Sequence, residues 1–485
     1  MVIQANNGWT EGLQASLWYD TLGQAIQPGA PLQGQQEADV VIIGAGYSGL
    51  WTAWYLRQLD PGLKVVILEA GVAGLGASGR NGGWLIGGFG GDVHYLQQLD
   101  GERQSRARKL VTGIVAEAVV ELKNMGIECD FQHGGNLQLA CRYPEQIHRL
   151  RQELAHYQAV GFDEQDVTWL SAQEAQRQLH LPNVQGGLFF RHCARVHPLK
   201  LVRGLAKAVM ACGVLVFEQS PVCRVSKNRV TTPLGQVRAP VIVSALEAYQ
   251  RLLGLDNHAT LAVQSMLIAT QPLNPHQWRS IGLDSSQTFA DASRLITYGQ
   301  RTADGRLVFG ARGGYGFGAK VRTEFDFTPR ALDALPQGDE FDLRVRLLHA
   351  FFPQLTDVQV THGWGGSLAL SRQFRPHAIY DPDSGVGLIG GYGGEGVGAS
   401  KLLAKTLAEL ILAPAGELCT MPWAHRGKAS DILRRWESEP WPYLSYQCSK
   451  WLFEWEDRLL STSARAWQKR GVTKLADGLE WLMSG

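Results

Sequence analysis

Short apolar runs closed by glycine, each followed by residues at helical spacing, set the plan of this chain. Asp39-Val40-Val41-Ile42-Ile43 shows no polar alternation and ends at Gly44, the pattern of a strand buried on both faces of a parallel sheet. Helical spacing runs from Leu50 to about Leu59 and is stopped by Pro61-Gly62. Lys64 to Leu68 is a second buried strand, with Glu69 at its C-terminal end. Together they make a strand–helix–strand unit of about thirty residues. The same order returns far downstream: a short strand, a glycine-rich turn within Gly385 to Gly398, and a helix from about Ala399 to Leu412.

The first turn, Gly44-Ala45-Gly46-Tyr47-Ser48-Gly49, has the spacing of a dinucleotide fingerprint. Gly44 permits the tight turn out of the strand. Gly46 lacks a Cβ and lets backbone approach a pyrophosphate, and Gly49 lets the helix pack closely on the sheet. The helix N-terminus then offers N–H groups and partial positive charge to phosphates. Glu69 lies where an acid accepts hydrogen bonds from the adenosine ribose, and Ala70 follows it. A glycine-rich surface turn is the bland alternative, but strand, helix and acid together predict a dinucleotide.

The next segment narrows that to FAD. From Gly71 to Gly91 there are ten glycines in 21 residues, a run that excludes a regular element and suits backbone passing close to a flat ligand. Gly76, Ala77, Ser78, Arg80, Asn81, Gly82, Gly83 and Trp84 are its candidate contacts. The downstream turn adds Gly391, Tyr392, Gly393, Gly394, Gly396 and Val397. A flexible surface loop is the competing reading of either stretch.

Composition changes little. At 485 residues the chain is too long for one simple core, so two or more intertwined domains are expected. Its 46 basic and 45 acidic side chains nearly cancel, which gives no electrostatic reason to expect nucleic acid or an anionic membrane. Seven scattered cysteines form no CxxC pair and fit reduced thiols in a cytoplasm better than a disulfide framework. No metal site is expected: His133, His192 and His197 are isolated and read as structural. The N-terminus lacks the pattern of a secretory signal, and no apolar stretch approaches bilayer length.

With these blocks in place, the sequence resembles the D-amino acid oxidase superfamily of FAD-dependent oxidoreductases over roughly residues 38 to 412. The block Gly76 to Gly83 (GASGRNGG) is similar to the gamma-glutamylputrescine oxidoreductase-like subgroup, as are Gly126 to Phe131 and Gly135 to Leu139. Gly186-Gly187-Leu188, His197-Pro198, the helix of Leu201 to Ala211 and Gly213 to Glu218 follow in the family order. The resemblance implies an α/β fold: a Rossmann-like FAD domain of the glutathione reductase type, interleaved with an α+β substrate domain built on an antiparallel sheet. The FAD domain would use 38–105, 190–260 and 364–415, and the substrate domain 106–189 and 261–363. An arm, 1–37, would precede them and a Trp-rich helical extension, 416–485, would follow. Val222 would meet the adenine through its backbone, and Val241 to Ala245 would be the strand returning to the FAD domain.

The implied chemistry is oxidation of an amine C–N bond by hydride transfer to the flavin N5. The imine then hydrolyses, and O2 or another acceptor is reduced. Glycine oxidase-like members clamp a substrate carboxylate with an arginine soon after a tryptophan; in Trp364 to Ser371, Leu368 stands at that place. This departure favours a small amine without an adjacent carboxylate over an amino acid of the glycine or D-amino acid oxidase type. Arg372 and Arg375 either replace the clamp or are solvated surface arginines. Glu395 stands where relatives often carry histidine, and either holds a cationic amine or is an acid near the next helix. Tyr298 and Arg301 sit where substrate-domain residues meet ligand in relatives. Trp84 either walls the flavin or packs in the core.

Seven of the 15 tryptophans follow residue 420, and Trp451 and Trp455 are at helical spacing. Three readings stand for this tail: a helix packed on the FAD domain, a protein interface, and, least supported, membrane contact. A non-catalytic flavoprotein acting as an assembly partner is the reading from a different class.

Overall fold

Strands that are apolar on both faces need cover on both, and in the seven-stranded sheet helices cover the face of Val40, Ile42, Val65 and Ile67 while Val222, Val230 and Val237 cover that of Val41, Ile43, Val66 and Leu68. The computed structural model describes residues 13–253 and 258–484; residues 1–12 of the expected arm and the Trp481 side chain lie outside the described residues. Across this sheet run Leu215–Phe217, Val65–Leu68, Val40–Ile43, Val241–Ser244, Val386–Gly390, His377–Asp381 and Ala424–Arg426. All neighbours are parallel except the pair Val386–Gly390 and His377–Asp381. Val40 to Ile43 and Val65 to Leu68 are buried throughout. The helices Tyr47–Leu59, Pro198–Ala211 and Gly396–Leu412 cover the sheet. Each begins three residues before the start expected from its apolar spacing, because the first turn is already helical once the non-helical cap residue has been passed.

A nine-stranded sheet forms the second layer, in the order Arg330–Ala331, Gln359–Ser371, Thr260–Thr270, Leu307–Arg312, Thr297–Arg301, Thr288–Asp291, Asn136–Ala140, Gly186–Phe190 and Val167–Ser171. It is antiparallel apart from the parallel pair Thr288–Asp291 and Asn136–Ala140. The molecule therefore has the expected α/β architecture with an interleaved antiparallel domain. One boundary moves. Gln359–Ser371 pairs along its length with Thr260–Thr270, so residues 364–371 run in the antiparallel sheet rather than in the cofactor domain.

Two terminal segments also differ from expectation. The arm is built in: Leu13, Leu17 and Trp18 are buried, the Trp18 indole donates to the Asn81 carbonyl at 2.8 Å, and Gly34–Glu37 pairs with Gly235–Arg238. The C-terminal helices, Trp441–Leu460 and Ala466–Ser484, dock on the antiparallel domain rather than on the cofactor domain. Charge decides this. Glu456, fully buried, accepts from Arg149 at 2.7 Å and Arg294 at 2.8 Å. Asp457 accepts from Arg142 at 2.8 Å and from the Tyr143 hydroxyl at 2.6 Å.

Candidate active site and cofactor cavity

One continuous cavity with two lobes lies between the sheets. The first lobe, with the open solvent at its mouth, spans about 1270 Å³ and is lined by the fingerprint turn, by Glu69 and Ala70, and by Gly76, Ala77, Ser78 and Asn81. Val222, Tyr392, Gly394, Gly396 and Val397 complete it from later segments. Gly46 caps its helix without a side chain, so no cap side chain competes for the first-turn N–H groups. The Ser78 hydroxyl accepts from the Tyr47 N–H at 3.0 Å and ties the second glycine loop to this helix. The Glu69 carboxylate accepts from the Ala45 N–H at 2.8 Å and the Gly71 N–H at 3.0 Å. Burial raises its pKa, and these bonds oppose the shift. Asn81 is held by the carbonyls of Ala77 and Ser78 and accepts from the Gly83 N–H at 2.8 Å, which fixes the loop as a short 3₁₀ turn, Ala77–Gly79.

The second lobe, about 1020 Å³, shares Ala77, Asn81, Leu368, Gly394 and Val397 with the first, so the two meet at Leu368. Strand alternation builds its walls: Asn136 and Gln138, Ser265 and Leu267, and Gly366 and Leu368 are pairs two apart on three strands. Trp84 and Tyr298 meet edge to face with ring centroids 5.6 Å apart, and the Tyr298 hydroxyl is 2.6 Å from Ser265 Oγ. Glu395 opens on this lobe, and its side chain makes no cap bond to the helix it precedes. Two further carboxyls lie near it. Burial and then the Glu395 charge push Asp92 up to about 7. Burial also pushes Glu153 up to about 7, with the Gln138 side chain opposing and Glu395 adding.

The family model for FAD dependent oxidoreductases matches residues 39–410. The chain belongs to that family. A probable oxidoreductase of Haemophilus influenzae is 29% identical over 409 residues, covering 82% of this chain and 88% of that protein. The gamma-glutamylputrescine oxidoreductase of Escherichia coli is 29% identical over 402 residues, covering 81% of this chain and 85% of that protein. Among solved structures, the glycine oxidase of Geobacillus kaustophilus shares the fold, with a TM-score of 0.61 at 19% identity over 78% of this chain and 95% of its own.

The first lobe fits FAD on its own geometry. A Cβ at Gly46 would lie 2.9 Å from Ser78 Oγ, in the space a pyrophosphate would approach. The half-buried Glu69 stands at the end of its strand, where a ribose would be held. The other half of the lobe was not read from sequence. Glu247, in left-handed backbone (φ 49°), accepts from the Tyr392 N–H at 3.2 Å and from the Ala369 N–H, and burial pushes it up to about 7. It pins the downstream glycine turn to the strand Val241–Ser244. Tyr249, Leu246 and Pro221 line the lobe beside it. No local motif marks these four.

Gly49, Gly83, Gly391 and Gly393 line neither lobe. A Cβ at Gly49 would meet the Gly44 carbonyl oxygen at 2.0 Å. Gly83 backs on the Val196 carbonyl and Gln300, Gly391 on the Arg375 carbonyl and His377, and the Gly393 N–H donates to the Ala369 carbonyl at 3.2 Å. Gly76 lines the first lobe, while Arg80, Gly82 and Trp84 line the second. Arg301 is not brought to the cavity. Tyr298 faces it, whereas Arg301, three residues on, has the opposite parity and lies over the Trp278 ring at 4.4 Å. Arg372 and Arg375 are neither clamp nor solvated surface. Arg372 is buried between Glu437 and the Trp436 ring, and Arg375 lies over Tyr95.

Proposed function

We propose that the protein oxidises the C–N bond of a cationic amine with no adjacent carboxylate, with O2 as the electron acceptor. The observation that carries this reading is the pairing of Leu368 with Glu395. At the junction where a carboxylate would need a cation there is an apolar side chain, and an acid opens on the lobe beyond it. Arg80 is the one cationic side chain among the residues lining that lobe. Its three nitrogens already donate to the Gly76 carbonyl at 3.4 Å, the Thr323 carbonyl at 3.0 Å and the Tyr249 hydroxyl at 3.2 Å. The Escherichia coli relative is named for a putrescine derivative, which agrees with an amine.

FAD supplies a two-electron acceptor when bound. The chain's own part is to hold it, to orient and to exclude water. Glu395 attracts the ammonium end, Tyr298 and Trp84 wall the aliphatic part, and Leu368 keeps the junction dry. Anaerobic addition of primary alkylamines, diamines and amino acids to the flavin-loaded protein tests the reading. Amines are expected to bleach the flavin absorbance fastest, and air is then expected to yield H2O2. Faster bleaching by glycine, alanine or proline would establish the amino-acid oxidase reading instead. Flavin that no amine and no amino acid reduces would point to the non-catalytic one.

A further inference from the structure

The helix Trp441–Leu460 has two faces, and only one has a partner among the described residues. Leu452, Phe453, Glu456 and Leu460 turn inward, with Glu456 held by Arg149 and Arg294. The helix therefore cannot roll to hide its outer face. On that face Trp441 is 65% exposed, Leu444 50%, Trp451 62% and Trp455 40%, with Cys448 exposed between them. These positions advance by three, four, three and four residues, the spacing of a coiled-coil seam. They extend over about 21 Å of helix.

We propose that this seam is a homodimer interface, in which the same helix of a second copy packs antiparallel about a two-fold axis at Cys448. The seam is its own mirror along the chain. Trp441 and Trp455 lie seven residues either side of Cys448, and Leu444 and Trp451 lie four before and three after it. An antiparallel copy therefore sets Trp441 against the partner's Trp455, and Leu444 beside the partner's Trp451, as an isologous contact requires. The area suffices. Three tryptophans and a leucine at these exposures present on the order of 500 Å² per copy, so the pair covers on the order of 1,000 Å², where specific association begins. Trp451 and Trp455 are already stacked, with centroids 5.4 Å apart, so little side-chain order is lost on contact. A lipid surface is the weaker occupant, because interfacial helices need a basic face and Lys450 beside the seam is paired with Glu454 at 3.9 Å.

Sedimentation or light scattering of the full-length, FAD-loaded protein tests this. A mass of twice 53.3 kDa is expected at micromolar concentration. W451E/W455E is expected to give the monomer mass with unchanged flavin content. In parallel, a short bis-maleimide is expected to join wild-type chains into a dimer on a denaturing gel, and C448S is expected to abolish that product. A monomeric wild type overturns the proposal. So does a dimer that survives W451E/W455E, a cross-link that persists in C448S, or a monomer that binds anionic vesicles through these tryptophans.

Discussion

Around the cofactor lobe the backbone leaves little room for a Cβ: at Gly49, behind the lobe, it would press on the Gly44 carbonyl oxygen at 2.0 Å, and at Gly46, on its lining, it would meet Ser78 Oγ at 2.9 Å. In the second lobe, the substrate lobe of the proposal, side chains make the walls. Glu395, Leu368, Tyr298, Trp84, Asn136 and Gln138 converge there from five separate stretches of chain. The cofactor lobe serves a ligand common to the whole family, and its backbone answers to that ligand. The substrate lobe serves whatever this protein selects, and single side chains can reset it without disturbing the frame.

The contrast can be broken most severely from the backbone side. Gly49→Val should abolish flavin retention, read as the ratio of flavin to protein absorbance after purification, because no rotamer relieves a clash with a carbonyl. Leu368→Arg should act on selectivity alone. The ratio of kcat/KM for amine over amino acid should fall by about 100-fold with flavin content unchanged, since a guanidinium at the junction pairs with a carboxylate. Glu69→Ala should weaken FAD binding by about 10- to 100-fold in a fluorescence titration, through loss of a charge-assisted acceptor, and leave amine selectivity as it was.

Titration sharpens the comparison further. Asp92 and Glu153 both lie at about 7, above the ordinary carboxylate value of about 4. The native protein thus holds protons that the unfolded chain releases. The stability linked to them is fully present below pH about 4 and is lost as pH rises through about 7. Ionisation over that same window adds negative charge behind Glu395. A tetra-alkylammonium inhibitor, whose own charge is fixed, should bind about three- to tenfold more tightly at pH 8 than at pH 6, and Asp92→Asn should flatten that slope. The smallest effect is expected from the C-terminal helices. Arg294 adjoins Ile296, which lines the substrate lobe, and Glu456 anchors it. Glu456→Gln should lower Tm and raise KM for the amine by about two- to fivefold, with kcat retained.

Legibility followed the same division. The fingerprint turn, Glu69 and the parts of both glycine loops that line the cavity were readable because strand, glycine turn, helix and acid are written locally, at fixed spacing. Glu247 was not readable, because its task is to meet N–H groups more than a hundred residues away. Tyr298 and Arg301 show how narrow the margin is in a strand: two residues of opposite parity part company, and one reaches the cavity while the other lies on Trp278. The tail was legible as a helix but not in its seat, because Glu456 and Asp457 find their arginines in the antiparallel domain, far earlier in the chain.

The central claim is that the substrate lobe selects a cation while the cofactor lobe only holds FAD, and rapid-mixing reduction of Glu395→Gln beside the wild type tests it most directly. With both proteins saturated in FAD, the dissociation constant for a primary alkylamine should rise at least about tenfold in the variant, while its FAD affinity stays within about twofold of wild type. An unchanged amine dissociation constant, or a loss of FAD that accounts for the whole effect, would contradict it.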